Sequence, residues 1–326
     1  MSGPAMTHRT PMIYDMETGD PDDLVALAML ATHPKVDLRA VTIWPGDVEQ
    51  VRIVRRALSH LGADTVMIGG NPEVPPKQRV RGLWNDIVPA DGKSDAIEVL
   101  PASTLIRDVV RHTAYLRLVT GGPLTNIARA FESYPLTELS DGTSAPALVD
   151  WICQGGFAGA NLVPEADRLL KFGSRITCPT YNFNGNPKAT LALLGRPGVW
   201  GGFTSKTFVS KNVCHGFVAD EAFLHEYKTR TRLQPSVHAF IYSILERFLS
   251  REGVGKKLHD PLAAAVAIHH DVCDFAYPVE LYRERGEWGS RMLPAQKLPH
   301  LNAASISVRA HRDRFLDVLA ACGSGS

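Results

Sequence analysis

Strand-like and helix-like runs alternate along most of this chain, and that alternation restricts the fold more than any other feature of the sequence. Met12–Tyr14 reads as a short strand before a helical run at Leu24–Leu30. Leu38–Ile43 predicts a strand, Asp47–Leu61 a helix with apolar residues at Val51, Val54, Leu58 and Leu61, and Thr65–Ile68 a strand. Ser103–His112 reads as a helix, Tyr115–Thr120 as a strand, Pro123–Phe131 as a helix and Ala147–Cys153 as a strand. Asn186–Leu194 (helix) and Val199–Phe203 (strand) follow, then helices near Pro235–Leu249 and Pro261–His270. Strands near Phe275–Tyr282 and Ala304–Ala310 and a last helix at Asp313–Ala321 complete the pattern. Such a sequence predicts an α/β fold: an open, mostly parallel sheet with helices on both faces. Two long segments, Asn71–Ala96 and Glu132–Ala145, are rich in Pro, Gly, Asp and Ser and predict loops.

Composition narrows the function. The chain has 326 residues, 44% apolar and 21% charged, with net charge +1, enough for an ample core. Near-neutral charge without a basic block argues against nucleic acid as the main partner. No run of apolar residues is long enough for a membrane span. Five scattered cysteines, never spaced as C-x-x-C, suit free thiols in a reducing cytoplasm and disfavour a zinc site. Residues 1–10 read as a disordered leader, 11–322 as one domain and 323–326 as a tail.

The acids are not spread evenly. Asp15-Met-Glu-Thr-Gly-Asp-Pro-Asp-Asp23 places five carboxylates in the turn between the first strand and the first helix. Two unit charges about 4 Å apart repel by roughly 1 kcal/mol in water and about 4 kcal/mol at an effective dielectric near 20. Hard cations such as Ca²⁺ and Mg²⁺ take oxygen ligands and relieve such crowding. Helix capping is the alternative: Asp20 as N-cap, Pro21 at the first helical position and Asp23 against the macrodipole. It leaves Asp15, Glu17 and Asp22 unexplained. Polar clusters also follow other strands, at Pro45-Gly46-Asp47, Gly121–Asn126 and Gln154-Gly155-Gly156. In open α/β sheets ligands bind beyond the carboxyl ends of the strands, so parallel strands would bring all of these to one rim.

Two further segments carry candidate chemistry. His259-Asp260-Pro261 is a second Asp-Pro helix start, supplying a distant carboxylate and a titratable imidazole. Thr180–Pro187 places Asn182 and Asn184 on one side of an extended segment, where two amides suit a polyhydroxylated ligand. A simple Asn/Gly turn before the next helix is the alternative.

Taken together these segments resemble the calcium-dependent nucleoside hydrolases of the inosine/uridine-preferring type. That family's signature is Asp-x-Asp-Pro-Gly-x-Asp-Asp between a strand and an apolar helix. Asp15-x-Glu17-Thr-Gly-Asp-Pro-Asp22-Asp23 is similar to it, with one inserted residue and Glu for the second Asp. Gly46-Asp47 stands at its Gly-Asn, Gly122-Pro123-Leu124-Thr125-Asn126 matches its Gly-Pro-Leu-Thr-Asn, and His259-Asp260-Pro261 matches its His-Asp-Pro. The matches fall in family order across roughly residues 12–270.

The resemblance implies hydrolysis of the N-glycosidic bond of a ribonucleoside to ribose and free base, with a Ca²⁺-bound water as nucleophile. It also implies a homodimer or homotetramer. By position, Glu17, Asp23 and Asp260 are the implied side-chain ligands of Ca²⁺, completed by the backbone carbonyl of Gly121 or of Thr120. Asp22 and Asn182 are implied ribose contacts, Asn184 joins them from its expected face, and Asp47 stands where the family has a ribose-binding Asn. His259 is an implied substrate or leaving-group contact able to deliver a proton. The insertion leaves the general base open between Glu17 and Asp20. Thr180 replaces a ribose-contacting Glu, and the family's His-Gly flap survives only as Arg81-Gly82-Leu83-Trp84. Two rival functions remain at this level: a calcium-dependent nucleoside or glycan binder without turnover, and a phosphatase of the haloacid-dehalogenase type, whose later Asp pair is not found.

Overall fold

A computed structural model of the protein describes residues 9–73, 82–88, 99–132, 148–195, 203–294 and 303–324. Its strands are β1 (Thr10–Met16), β2 (Val36–Ile43), β3 (Met67–Gly70), β4 (Leu100–Pro101), β5 (Tyr115–Thr120), β6 (Leu148–Gln154) and β7 (Thr177–Cys178). Next come β8 (Ser205–Val209), β9 (Val218–Ala219), β10 (Lys256–Lys257), β11 (Cys273–Glu284), β12 (Glu287–Met292) and β13 (Ala304–Ala310). The helices are α1 (Pro21–Thr32), α2 (Val48–His60), α3 (Gly82–Ile87), α4 (Ala102–Arg111), α5 (Thr125–Phe131) and α6 (Tyr181–Gly185). The later ones are α7 (Pro187–Leu194), α8 (Lys211–Gly216), α9 (Glu221–Thr231), α10 (Ser236–Glu252), α11 (His259–Ile268) and α12 (Arg312–Ala320).

Among the described residues one large sheet runs in the order β4-β3-β2-β1-β5-β6-β8-β13-β11-β12-β7. From β4 to β13 neighbouring strands are parallel; β11, β12 and β7 join antiparallel at one side. The predicted open, mostly parallel sheet is therefore present. Helices cover both faces, each over its own apolar layer. One layer buries α1, α2, α10, α11 and α12, and the other α4, α5 and α7. Central β1 is buried from Met12 to Met16, and α1 is buried from Pro21 to Leu30. A helix apolar on every side has to be enclosed, and α1 is enclosed by α10 and α11.

Several expectations shift. The strand expected at Thr65–Ile68 forms at Met67–Gly70. Most of Val199–Phe203 lies outside the described residues, and the strand in that region is Ser205–Val209. Thr180–Gly185 is not an extended pair-bearing segment: Tyr181–Gly185 is a short helix, because Thr180 is extended and the chain turns helical immediately after it. Thr10, placed in the expected leader, begins β1, and the Gly323 amide, placed in the tail, donates to the Thr32 carbonyl at 2.9 Å. The two long loops lie largely outside the described residues, as does Arg81 of the flap segment.

Candidate active site

Because β2, β1, β5 and β6 are parallel neighbours, the segments after them share one rim. Asp15 pairs with Thr42 on one side and Thr120 on the other. Its Oδ1 accepts from Thr42 Oγ1 at 2.6 Å and Asn126 Nδ2 at 2.8 Å, while Oδ2 is buried without a partner among the described residues. Burial raises its carboxyl to about 7, against the lowering effect of those two hydrogen bonds. Asp15 is thus the floor beneath the loop.

Above it two helix starts meet. Asp22, in the first turn of α1, accepts at Oδ2 from the backbone amides of His259 at 2.8 Å and Asp260 at 3.2 Å. An α-helix leaves its first amides unsatisfied, and here a carboxylate from another helix satisfies two of them. The α11 N-terminus is thereby fixed against α1. Asp23 (0% exposed) and Asp260 (6%) lie within this junction. Both Asp23 oxygens and Asp260 Oδ1 are buried with no hydrogen-bond partner among the described residues. Burial first, then Asp260 and Glu17, push the Asp23 carboxyl well up; burial, then Asp22 and Glu17, do so for Asp260. Gly121 completes the wall. A Cβ there would stand 2.7 Å from Asp260 Oδ1, so only glycine lets the backbone approach this carboxylate.

A cavity of about 430 Å³ opens onto this junction, lined by Glu17, Asp20, Asp22, Gly121, Asn182, His259 and Asp260 among others. Asn182 Nδ2 lies 3.0 Å from the Gly121 carbonyl and 2.7 Å from Gln154 Oε1, which ties α6 to the ends of β5 and β6. Two expected contacts stand elsewhere. Asn184 Oδ1 accepts from Trp288 Nε1 at 2.8 Å and does not line the cavity, because helical rather than extended geometry sends residues 182 and 184 in different directions. Asp47 caps α2: its Oδ1 accepts from the Gln50 amide at 2.9 Å, and the Gln50 side chain returns to the Gly46 and Asp47 amides. Its link to the loop is indirect, through Gln50 Nε2 donating to Thr18 Oγ1 at 2.8 Å.

Residues that the sequence did not single out complete the site. Lys256 Nζ lies 3.0 Å from Asp20 Oδ1 and 2.9 Å from Asp22 Oδ1, with only 4% of its side chain exposed. Burial works against its charge, but Asp22 and then Asp20 hold the ammonium above its ordinary value. Tyr14, fully buried on β1 near the carboxylates, has a hydroxyl with no partner among the described residues; burial, then Asp260 and Asp23, raise its pKa. Lys211 and His215 of α8 also line the cavity. An aromatic in an otherwise aliphatic strand and a basic pair just before His-Asp-Pro were the available signals, but neither local pattern identifies a partner.

His259 lines the cavity, its Nε2 buried with no partner among the described residues and its Nδ1 3.8 Å from Asp22 Oδ2. Burial, reinforced by Lys256, lowers it to about 3 against the opposing pull of Asp20. Burial and neighbouring His259 likewise lower His215 to about 3. Burial thus favours the neutral form of both imidazoles near neutral pH.

Two carboxylate groupings are candidates for a cation. Asp20, Asp22 and His259 have ligand atoms within 4.8 Å of one another, but the Lys256 ammonium already sits against both acids. Among the described residues Asp23 and Asp260 have no such counter-charge. Buried, unpartnered carboxylate oxygens beside a glycine backbone fit a hard cation, whose ligands are oxygens.

The inosine-uridine preferring nucleoside hydrolase family model matches residues 12–317. The chain belongs to that family. An uncharacterized protein of Aquifex aeolicus is 27% identical over 286 residues, covering 86% of this chain and 90% of its own. The non-specific ribonucleoside hydrolase RihC of Klebsiella pneumoniae is 30% identical over 174 residues, 49% of this chain and 53% of that protein. The solved purine-preferring ribonucleoside hydrolase of Gardnerella vaginalis is 19% identical with a TM-score of 0.64, over 97% of this chain and 98% of that one, a likeness of fold. As a member of this nucleoside hydrolase family the chain is an enzyme, and a small nucleoside is the fitting substrate. Among its described residues no helix is long and apolar enough to cross a membrane.

Proposed function

We propose that the protein hydrolyses the N-glycosidic bond of ribonucleosides, with Ca²⁺ held by Glu17, Asp23, Asp260 and the Gly121 carbonyl. The observation that carries this reading is the pair Asp23 and Asp260: Asp260 lines a nucleoside-sized cavity, Asp23 is buried beside it, and neither is ion-paired among the described residues. When bound, Ca²⁺ would grip ribose hydroxyls and orient and acidify a water.

The chain's own groups do the rest. Breaking the bond between C1′ and the base nitrogen builds positive charge on the sugar, and the acid cluster stabilises it. Glu17, in the cavity wall and within the field of Asp23 and Asp260, is the general base that takes the water's proton. Asp20 is the weaker candidate, since Lys256 is paired to it at 3.0 Å. Asp22, held by Lys256 and by the α11 amides, and Asn182, held by Gln154, contact the ribose. Neutral His259 hydrogen-bonds the base or ribose. Asp47 and Asn184 support the loop and α6 from outside the cavity.

Assembly into a homodimer or homotetramer accompanies this proposal and is read by light scattering. A cytoplasmic location accompanies it too, supported by five free, buried cysteines. The activity test is chromatography of base and ribose released from ribonucleosides and their 2′-deoxy counterparts, with CaCl₂ or with chelator. Ribonucleosides should outrun the deoxy compounds by orders of magnitude, because a site built to pair a hydroxyl penalises its loss. Calcium-dependent binding without base release would identify a binder, and phosphate release from a phosphomonoester would favour the dehalogenase chemistry.

A further inference from the structure

The cavity wall carries basic side chains as well as the carboxylates. Lys211, the first residue of α8, lines it, and its Nζ donates to the Pro179 carbonyl at 2.7 Å, beside Thr180 in the chain. His215, also in the wall, stands 5.3 Å ring to ring from His259. The Lys171 ammonium hydrogen-bonds His215 Nδ1. An ammonium can only donate, so Nδ1 is the acceptor and the neutral ring keeps a hydrogen on Nε2. Lys257 lies on β10, paired with Val218 of β9, two residues before His259. Burial, then the like charges of Lys257 and Lys211, hold the Lys171 ammonium below its ordinary value, so the three cations share one field. None of the three forms an ion pair with a carboxylate of the described residues.

Thr180 supplies a second, independent observation. It is 3% exposed, it lines the cavity, and its hydroxyl has no partner among the described residues. Buried hydroxyls are normally paired, and one left open in a cavity wall next to a fixed lysine suits a ligand acceptor. A carboxylate at this position, as in the family pattern, would neutralise the lysines; threonine leaves their charge available.

We propose that the part of the cavity wall formed by Lys211, Thr180 and His215, with Lys171 behind His215, receives an anionic substituent of the nucleoside, a phosphate or a carboxylate, so that the enzyme prefers charged nucleosides to neutral ones. The inference rests on the hydrolase reading above. The same bond breaks: the water oxygen joins C1′, one proton reaches the departing base nitrogen, and the anion stays on its own product. Ribose sits against the carboxylates while the substituent reaches Lys211 and Thr180.

The test measures kcat/KM of the full chain with CaCl₂ for inosine, uridine, adenosine, guanosine and cytidine, each against its 5′-monophosphate, and for uridine against orotidine. Preference for monophosphates assigns the subsite to a phosphate on the sugar; preference for orotidine assigns it to a carboxylate on the base. At least one charged member should exceed its neutral parent about tenfold at low salt, with the advantage shrinking as salt screens exposed charge. Lys211→Met and Lys171→Met should each cut the charged-to-neutral ratio at least threefold, and Lys211→Arg should restore it. Lys171 is exposed and Lys211 half-buried in the cavity wall, and thermal unfolding checks that each variant is folded. Hydrolysis of neutral nucleosides with no charged preference, or with a ratio the substitutions leave unchanged, overturns this inference alone. Release of base from none of the panel overturns the hydrolase reading and this inference with it.

Discussion

The Lys256 ammonium stands 2.9 Å from Asp22 Oδ1, while Asp22 Oδ2 accepts the first two amides of α11. One carboxylate thus joins a buried cation to a helix N-terminus, and the acidic loop is held by both. Breaking a buried pair by removing one partner costs about 3–5 kcal/mol, because the other charge stays uncompensated. Lys256→Met should lower the melting temperature and raise KM for the nucleoside, and Lys256→Arg should recover most of both. An unchanged melting temperature and KM in Lys256→Met would show that the pair positions nothing.

Calcium should stabilise the protein by linkage, as any ligand of the folded state does, by roughly 2.7 kcal/mol at a hundredfold excess over Kd. Thermal unfolding with and without CaCl₂ reads this directly, and calorimetry should find about one ion per chain, as a single all-oxygen site requires. Asp260→Asn should abolish the calcium-induced rise. A rise of equal size in that variant would move the ion elsewhere.

Glu17→Gln and His259→Ala separate two roles. General-base assistance is typically worth about 10²–10⁴-fold, so Glu17→Gln should lower kcat by that order on natural nucleosides and on the activated nitrophenyl riboside alike. His259 is neutral, and as a hydrogen-bonding contact its loss should slow both substrates by a similar factor. If His259→Ala spares only the nitrophenyl riboside, then His259 does protonate the leaving group.

Stability of the calcium-free protein should carry the signature of Asp15. Its folded pKa, about 7, lies above the ordinary 3.8, so its contribution is fully present below that ordinary value and is lost as pH rises through 7. Ionising it in place costs on the order of 4 kcal/mol. Asp15→Asn keeps an acceptor for Thr42 and Asn126 and has no charge to form. With chelator present, the melting temperature of Asp15→Asn relative to the parent should climb between pH 5 and pH 8. The pH-independent cost of the new amide cancels in that comparison. A flat difference across the range would place the Asp15 titration elsewhere.

Much of this protein was legible before its structure. Alternating apolar runs give strands and helices through local preferences of neighbouring residues, and alternation itself favours parallel strands. Once β2, β1, β5 and β6 lie parallel, the segments after them must share a rim, so the acid loop, Gly121 and Gln154 converge. The acid crowding was visible because it lies within nine consecutive residues. Pairings across long separations were not. Asp22 meets the His259 amide 237 residues away, and nothing near residue 256 in the chain shows that its lysine will be buried against Asp20 and Asp22. Asp47 turned to its own helix because a capping box was available at no distance, and Asn184 turned to Trp288 because α6 is helical where an extended segment was expected. Local propensity fixes elements. Which polar groups face one another inside the cavity is settled only by packing, since each buried charge takes the partner that the folded layers bring within reach.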